Sequence, residues 1–408
     1  MDKMIKSVSE FIKENFDETV RTNQTDNGSL IGLPKPYTVP CASGSFQELY
    51  YWDTYFANLG LLALGNAEQA KNNVDNILFL INKYGFMPNC NRTWATNRSQ
   101  PPFSYLMVKD VFGALRDNEW LLSAYNTLKK EYEFWQTRRA VENGLNIYRG
   151  SNELTDWEIN SLFKDYEKRC GKKLPENLSL SEKIKIAQTV MTFVESGWDC
   201  CSRFGTDGYA VNPIDLNSLL YGFENEMAGF SRILCIGEEN GWLNKAEERK
   251  QKMNLHMLDG KTGIYNDYNF NSDKLSDVLS AASFFPAFSG VSDNGDAVNH
   301  LVCALELPFG ISASVKINNG TSFQWDYPNV WAALQYIAFI ACKNCGLNSQ
   351  AKKIAETYIA LIDKTYFETG NLWEKYNGIE GSVSNHDYNA PPMLGWTAGV
   401  YMFLKSII

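Results

Sequence analysis

The sequence predicts an all-α protein whose helices are arranged in pairs around a ring. First, apolar residues recur at helical spacing in successive segments, and short connections join these segments in pairs. Second, few segments show the alternating pattern of a β-strand. Third, long polar loops alternate with the short connections, which places the long loops on one face of the ring. Because binding and catalytic groups tend to lie on loops of a rigid scaffold, we expect the active-site loops on that face.

Helical spacing begins near residue 1 and recurs up to the last residues. The two segments 158–168 and 181–194, joined by a charged connection, are interpreted as an insertion. No linker or low-complexity tract interrupts the chain, which predicts a single domain over residues 1–408. The predicted helices are 1–16, 50–64, 67–83, 104–115, 118–139, 158–168, 181–194, 215–240, 243–258, 275–285, 293–305, 330–345, 349–367 and 394–407.

Local signals bound several of these helices. Gly65 and Asn66 end the helix at 50–64, and Gly85 closes the next one. Pro101 and Pro102 finish a long polar loop before the helix at 104–115 begins. These breaks support the sequence of helix, loop and helix on which the fold prediction depends.

The composition suits a large core and a sugar ligand. Hydrophobic residues make up 44% of the 408 residues and aromatic residues 13%, so most of the aromatic side chains must pack in the core. Aromatic rings also suit sugars, because the C–H faces of a sugar are apolar while its hydroxyl groups bind amides and carboxylates. The composition therefore favours a small-molecule saccharide as partner and leaves the oligomeric state open.

The net charge argues against two classes of partner, and the N-terminal residues and cysteines predict the cellular location. The net charge of −9, with no basic run, argues against nucleic acid and anionic membranes. No apolar run reaches transmembrane length. The first residues lack the pattern of a secretory signal, and the nine scattered cysteines, with Cys200 and Cys201 adjacent, indicate reduced thiols. These observations predict a cytoplasmic protein.

The residues that bind metals are too few and too scattered for a metal site. Only three histidines occur, and the H-E-x-x-H pattern is absent. Cys342 and Cys345 match C-x-x-C, but no second pair accompanies them. We therefore predict no metal, and a Ser-His-Asp triad is also poorly supported.

Asp199 is the candidate general acid. It follows Gly197, which permits a sharp turn, and Trp198, which can exclude water from the carboxyl group. A desolvated carboxyl group tends to stay protonated, as an acid catalyst must. The alternative is a helix N-terminus capped by Asp199, with Trp198 in the core. The recurrence of Trp-Asp at Trp52-Asp53 and Trp325-Asp326 favours the functional interpretation.

Glu374 is the candidate base, because hydrolysis of a glycosidic bond usually needs two carboxyl groups. Trp373 and Tyr376 flank it, and Lys375 could keep it ionised. The alternative is a solvated charge at a helix end. Polar side chains suited to sugar hydroxyls are concentrated in the loop 87–102 and around residue 325, namely Asn89, Asn91, Arg92, Asn97, Arg98, Gln100, Gln324, Trp325 and Asp326.

Six segments in this order resemble the trehalases of glycoside hydrolase family 37. They are 46–55 (FQELYYWDTY), 87–102 (MPNCNRTWATNRSQPP), 195–203 (ESGWDCCSR), 324–331 (QWDYPNVW), 373–376 (WEKY) and 395–400 (GWTAGV). One departure is Ala333, where the family's second signature ends in proline. Together the motifs are specific and cover nearly the whole chain.

The resemblance implies an (α/α)6 toroid with its active-site loops on one face and an inverting mechanism without a cofactor. Asp199 would protonate the glycosidic oxygen, and Glu374 would deprotonate the attacking water. The glucose pocket implied by the family motifs consists of Phe46, Tyr50, Trp52, Asp53, Asn89, Arg98 and Gln324.

Two departures from the family pattern concern the leaving group. Ser45 stands where the family has arginine, in a loop two residues longer, and Asp387 stands where it has glutamate. Both fall where the family holds the leaving sugar or closes a lid. Arg203, Lys375 or a backbone donor from the longer loop could replace the missing arginine. Trehalose is therefore the expected substrate, with another α-glucoside or a glycosylglycerate as the alternative.

A sugar-binding module or an epimerase on the same toroid is the alternative from a different functional class. A module without catalysis would be expected to lose one carboxylate, yet both remain. Epimerases of this architecture depend on histidines, and only His386 lies in a candidate active-site loop. Hydrolysis of an α-glucosidic bond is therefore the preferred prediction.

Overall fold

The computed structural model describes residues 6–150, 154–170, 173–175, 177–317, 323–385 and 389–408. Helices account for most of these residues. No helix among the described residues is long and apolar enough to cross a membrane. In chain order the helices are α1 (Val8–Asn15), α2 (Tyr51–Ala63), α3 (Ala67–Tyr84), α4 (Ser104–Leu115), α5 (Asn118–Arg138), α6 (Asp156–Cys170), α7 (Leu180–Ser196), α8 (Ile214–Ile233), α9 (Glu239–His256), α10 (Phe285–Phe288), α11 (Gly295–Leu305), α12 (Ala332–Asn344), α13 (Asn348–Thr369) and α14 (Gly395–Ile407).

Six of these helices form a closed inner ring. Each packs against the next in the order α2, α4, α8, α10, α12 and α14, and α14 returns to α2. Six others, α1, α3, α5, α9, α11 and α13, pack on the outside; for example, α3 contacts α2 and α4, and α13 contacts α12 and α14. The predicted (α/α)6 toroid is therefore confirmed.

Two glycines allow the first and last inner helices, α2 and α14, to pack closely. A Cβ atom on Gly60 of α2 would lie 2.6 Å from the Cα atom of Gly399 of α14, and one on Gly399 would overlap the carbonyl oxygen of Phe56. Because neither residue has a side chain, the two helix backbones can touch directly.

The helix ends follow from local sequence. Ser7 and Ser179 each begin a helix with a capping box, in which the serine side chain accepts from the N–H of a glutamate three residues later. Gly85, Gly197 and Gly370 end helices in the left-handed conformation. These signals explain why most helix boundaries agree with the sequence prediction.

Short strands connect the helices and form small antiparallel sheets. One sheet consists of β8 (Asn329–Trp331), β9 (Lys375–Asn377) and β10 (Ser382–Val383), and in it Val330 lies opposite Tyr376. The strands are β1 (Val20–Arg21), β2 (Tyr37–Thr38), β3 (Val211–Asn212), β4 (Tyr268–Asn269), β5 (Lys274–Leu275), β6 (Glu306–Leu307), β7 (Gly310–Ile311), β8 (Asn329–Trp331), β9 (Lys375–Asn377) and β10 (Ser382–Val383).

Two predicted helices differ from the structure. The prediction of a helix at 275–285 is wrong, because Leu275 pairs with Tyr268 in a sheet and helical structure starts only after Ser280, whose side chain accepts from the N–H of Ala282. The helix predicted at 215–240 ends at Ile233, because Cys235 and Gly237 adopt positive φ angles. The helices α6 and α7 pack against each other and belong to neither ring, as expected of an insertion.

Candidate active site

A cavity of about 470 Å³ brings the two candidate catalytic carboxyl groups together. Most of its lining residues stand in loops that lead into the inner helices or in the first turns of these helices. Nine of the predicted site residues line the cavity: Phe46, Tyr50, Trp52, Asp53, Gln100, Asp199, Gln324, Trp325 and Glu374.

Four other predicted site residues have a different placement. Asn89, Arg98 and Asp326 are not among the residues that line the cavity, and Asp387 lies outside the described residues. Asn89 is buried, and its side-chain amide donates to the carbonyl oxygen of Val194 near the end of α7. It therefore holds the polar loop 87–102 against the segment that carries Asp199.

Gly197 and Trp198 fix the turn that presents Asp199. Gly197 ends α7 with φ of 75°, and a Cβ atom there would lie 2.8 Å from the indole of Trp52. The ring of Trp198 is fully buried and stacks on that of Trp325, with centroids 5.2 Å apart. The fold thus combines the core role of Trp198 with a placement of Asp199 in the cavity wall.

Glu195 anchors the same turn from behind. Its buried carboxylate accepts from Nε and Nη2 of Arg139 at 2.8 and 2.7 Å, from the backbone N–H of Ser99 at 2.7 Å and from that of Arg149 at 2.6 Å. Charge-assisted bonds of this kind are short and strong. They tie the polar loop before α4, the end of α5 and the end of α7 to one carboxylate.

Asp326 and Trp325 hold the segment after Asp199. The carboxylate of Asp326 accepts from the backbone N–H of Ser202 at 3.1 Å, and the N–H of Trp325 donates to the carbonyl oxygen of Cys200. Burial raises the pKa of Asp326 to about 7. The structure shows that the carboxylate of Asp326 supports the loop that contains Asp199, and its contact with the sugar stays a prediction.

Arg203 does not reach the cavity. Its guanidinium group is fully buried and pairs with the carboxylates of Asp215 and Asp267, both at 2.8 Å. These two carboxylates occupy the donors of the guanidinium fork, so the suggestion that Arg203 replaces the family's arginine is wrong.

Glu374 stands directly before strand β9 and lines the same cavity as Asp199. Its side chain is 6% exposed, its N–H donates to the carbonyl oxygen of Pro391, and its own carbonyl oxygen accepts from Nε1 of Trp396 at 3.1 Å. The next residue, Lys375, is buried, and its ammonium group lies 5.5 Å from the centroid of the Trp331 ring. The sheet formed by β8 and β9 therefore sets the position of Glu374.

Four tryptophans form an aromatic wall of the cavity. The rings of Trp325 and Trp331 are stacked with centroids 4.0 Å apart, and Trp396 meets both of them edge to face. Trp52 packs against Trp325 and Trp396 at 5.7 and 5.9 Å. Such a wall offers apolar ring faces to the C–H groups of a sugar and excludes water from the neighbouring carboxyl groups.

Asp53 is a third carboxyl group in the cavity. Burial, opposed by the N–H of its own backbone and assisted by the negative charges of Glu374 and Asp199, raises the pKa of Asp53 to about 7. Its neighbour Trp52 donates its backbone N–H to the side chain of Gln100 at 3.2 Å. The first turn of α2 is thereby joined to the polar loop that precedes α4.

Arg98 lies near the site without lining it. Burial lowers the pKa of its guanidinium group, while the charges of Cys90, Asp199 and Glu195 act in the opposite direction. Its Nη1 donates to the side chain of Asn97, and the guanidinium group lies 5.5 Å from the centroid of the exposed Trp94 ring.

Six lining residues were not predicted as site residues. Three of them lie within the family-like motifs at 195–203, 324–331 and 395–400, namely Gly197, Trp331 and Trp396. Their position in these motifs is the signal that could have identified them. Met393 precedes such a motif. Asp165 and Lys168 lie on α6, in the segment interpreted as an insertion, and no sequence pattern pointed to them.

The chain is similar to trehalases in sequence. A family model described as "Trehalase" matches residues 1–407. A periplasmic trehalase from Xanthomonas oryzae pv. oryzae is 31% identical over 401 residues, which cover 93% of this chain and 69% of the relative. A periplasmic trehalase from Pseudomonas aeruginosa is 31% identical over 404 residues, which cover 93% of this chain and 72% of the relative.

Solved structures show the same fold. The neutral trehalase Nth1 from Saccharomyces cerevisiae has a TM-score of 0.77 and 25% identity, covering 100% of this chain and 81% of that one. A GH63 mannosylglycerate hydrolase from Thermus thermophilus, solved in complex with glucose, has a TM-score of 0.69 and 13% identity, covering 98% and 100% of the two chains. At that identity the second likeness shows a common fold alone.

These relatives correct the predicted location. The prediction of a cytoplasmic protein is wrong, because the relatives from Xanthomonas and Pseudomonas aeruginosa are named periplasmic trehalases. The argument from reduced thiols fails for a physical reason. Of the eight cysteines whose side chains the structure describes, five are buried. A buried thiol is shielded from oxidants, so its reduced state does not indicate a reducing compartment.

Proposed function

Because the chain belongs to the trehalase family and is a glycoside hydrolase, we propose that it hydrolyses α,α-trehalose to glucose with inversion at the anomeric carbon. The observation that carries this proposal is that Asp199 and Glu374 line one cavity with a tryptophan wall. The relatives also support a periplasmic location.

Asp199 serves as the general acid. It protonates the glycosidic oxygen as the bond to the anomeric carbon breaks, so that the leaving glucose departs as a neutral alcohol. The contacts of Glu195 and Asp326 on either side fix the loop, and this rigidity keeps the carboxyl group in the orientation that proton transfer requires.

Glu374 serves as the general base. It removes a proton from a water molecule that attacks the anomeric carbon from the face opposite the leaving group. An inverting enzyme needs room for this water, so we expect the two carboxyl groups to stand about 6.5–9.5 Å apart. Its burial in the cavity wall, beside the sheet that contains Lys375, supports a defined position for the base.

The rest of the cavity binds the first glucose. The tryptophan wall contacts the C–H face of the sugar, and Asp53, Gln100 and Gln324 supply polar groups for its hydroxyls. The volume of about 470 Å³ falls within the range of small-molecule sites, roughly 300–1,000 Å³. A disaccharide is therefore a ligand of suitable size.

The experiment is to follow trehalose hydrolysis by NMR with the wild-type enzyme and with Asp199→Asn. An inverting wild type is expected to release β-glucose from the attacked ring and an equal amount of α-glucose from the leaving ring before the anomers equilibrate. Initial release of α-glucose alone would contradict Glu374 as the base. Loss of the acid should lower kcat by roughly 10²–10⁴-fold on trehalose and by less on substrates with better leaving groups. Asp207→Asn, an exposed position in the same loop, is the matched control.

A further inference from the structure

We propose that α6 supplies the leaving-group subsite, where Lys168 and Asp165 bind the hydroxyl groups of a neutral leaving sugar and Asp165, with the other carboxyl groups of the cavity, selects against an anionic leaving group. This inference rests on the proposed hydrolytic function. It assigns specificity to a helix that lies outside both rings of the toroid.

The placement of these two residues is the first observation. Asp165 and Lys168 line the same cavity as Asp199 and Glu374. They stand three residues apart on α6, so both side chains project from the same face of the helix. One face of α6 therefore reaches the site where the substrate is cleaved.

The second observation is that α6 is fixed next to the loop of the proposed acid. Tyr166, between the two residues in sequence, is 3% exposed, and its ring stacks on that of Phe193 of α7 at 6.2 Å. Its hydroxyl group donates to the carbonyl oxygen of Gly205 at 3.4 Å. The leaving group departs from the side of the general acid, so a helix attached to that loop is well placed to contact it.

The third observation concerns the arginine that Ser45 replaces. Ser45 is exposed and does not line the cavity. Arg203 is paired with Asp215 and Asp267, and Lys375 is buried against Trp331. Within the part of the chain that the structure describes, Lys168 is the cationic side chain in the cavity lining.

The charge of the lining decides the kind of leaving group. The described lining contains four carboxyl groups, those of Asp53, Asp165, Asp199 and Glu374, and the ammonium group of Lys168. As the acid, Asp199 is protonated, and Asp53 is partly protonated. Even so, the carboxylates of Asp165 and Glu374 outnumber the ammonium group of Lys168 in this described lining, so a leaving group with its own carboxylate, such as glycerate, meets an excess of negative charge. A neutral sugar can accept a hydrogen bond from Lys168 and donate one to Asp165. The lining thus favours the neutral sugar.

The test compares three substrates that share the glucosyl group: trehalose, glucosylglycerate and α-glucosyl fluoride, whose leaving group has no hydroxyl. Lys168→Met should lower kcat/KM on trehalose by roughly ten- to a hundredfold, mainly through KM, because one charged hydrogen bond is lost. The loss on α-glucosyl fluoride should be much smaller, and Lys168→Arg should restore most of the activity on trehalose. Asp165→Asn should raise kcat/KM for glucosylglycerate relative to trehalose.

Lys164→Met is the matched control, because Lys164 is exposed on the same helix and does not line the cavity. An equal loss on trehalose and α-glucosyl fluoride in Lys168→Met, or equal losses in the Lys164 and Lys168 variants, would overturn the role of α6. If the wild type cleaves neither trehalose nor α-glucosyl fluoride, the proposed function fails first. If it cleaves both and Lys168→Met is unimpaired, the subsite alone is wrong.

Discussion

At the scale of single residues, Gly197 is a position of the site where only glycine fits the backbone conformation and the available space. It needs a left-handed backbone at φ of 75°, and the indole of Trp52 leaves no space for a Cβ atom. A larger residue must push the Asp199 loop or the aromatic wall out of place.

Gly197→Ala is therefore expected to lower both stability and activity. The left-handed conformation alone costs roughly 1–2 kcal/mol for a residue with a side chain, and the contact with Trp52 adds to it. Gly370→Ala is the matched control, because Gly370 ends α13 at φ of 74° with nothing within 4 Å of the added atom. Urea unfolding and trehalose turnover measure the difference; equal effects of the two variants would contradict the role of the Trp52 contact.

The sequence predicted the residues of the site better than it predicted their orientation. Asp199 and Glu374 stand in short motifs, and both line the cavity. Asp326 also stands in such a motif, yet the path of its loop turns the carboxylate towards the N–H of Ser202. Lys168 was not predictable, because its position in the cavity depends on how α6 packs outside the ring. The catalytic roles stay predictions until the variants are measured.

At the scale of elements, Glu195 joins three segments of the site through one carboxylate. Its partners are the side chain of Arg139 and the backbone N–H groups of Ser99 and Arg149. The site therefore depends on a buried charge that does not itself line the cavity.

Glu195→Gln is expected to destabilise the protein by about 3–5 kcal/mol, because Arg139 is left as a buried charge without its carboxylate. The activity should fall together with stability, since the Asp199 loop loses its anchor. Glu226→Gln breaks the more exposed ion pair with Lys109 and should cost at most about 1 kcal/mol. Unfolding in urea would distinguish them, and a Glu195 variant as stable as the Glu226 variant would refute the anchoring role.

The helices themselves were largely predictable because their ends carry local signals, as at Ser179 and Gly370. The prediction at 275–285 failed because apolar spacing alone does not reveal that Leu275 pairs with a strand. Which helices form the inner ring depends on contacts between distant segments, and the family resemblance supplied that arrangement.

At the scale of the whole molecule, buried carboxyl groups should make stability depend on pH. Burial raises the pKa of Glu131 to about 7, against an ordinary value of 4.5, and hydrogen bonds from Ser104 and Tyr51 only partly oppose this. The folded state therefore binds a proton that the unfolded chain releases. This contribution to stability is fully present below pH 4.5 and is lost as the pH rises through about 7.

Unfolding in urea across this pH window is expected to show the loss, up to about 3 kcal/mol from Glu131 alone. Glu131→Gln cannot titrate, so its stability should vary less with pH over the same range. The variation that remains should come from groups such as Asp53 and Asp326, whose pKa values burial also raises to about 7. An identical pH profile for the wild type and the variant would contradict this account of Glu131.

We also propose that residues 1–408 form one domain. Among the residues that the structure describes, one cluster of buried apolar side chains extends from Val8 to Leu404, and the first and last inner helices pack together. Tryptophan fluorescence and circular dichroism should therefore report one coincident unfolding transition. Two separated transitions would indicate more than one domain.

The contact between Gly60 and Gly399 also has a consequence during synthesis. The ribosome makes α2 long before α14, so the side of α2 that α14 covers remains open while the intervening helices are made. Trp396, which is part of the cavity wall, belongs to α14 and is therefore also synthesised late. A nascent chain released before that point would present an apolar surface to chaperones and proteases in place of a complete binding cavity.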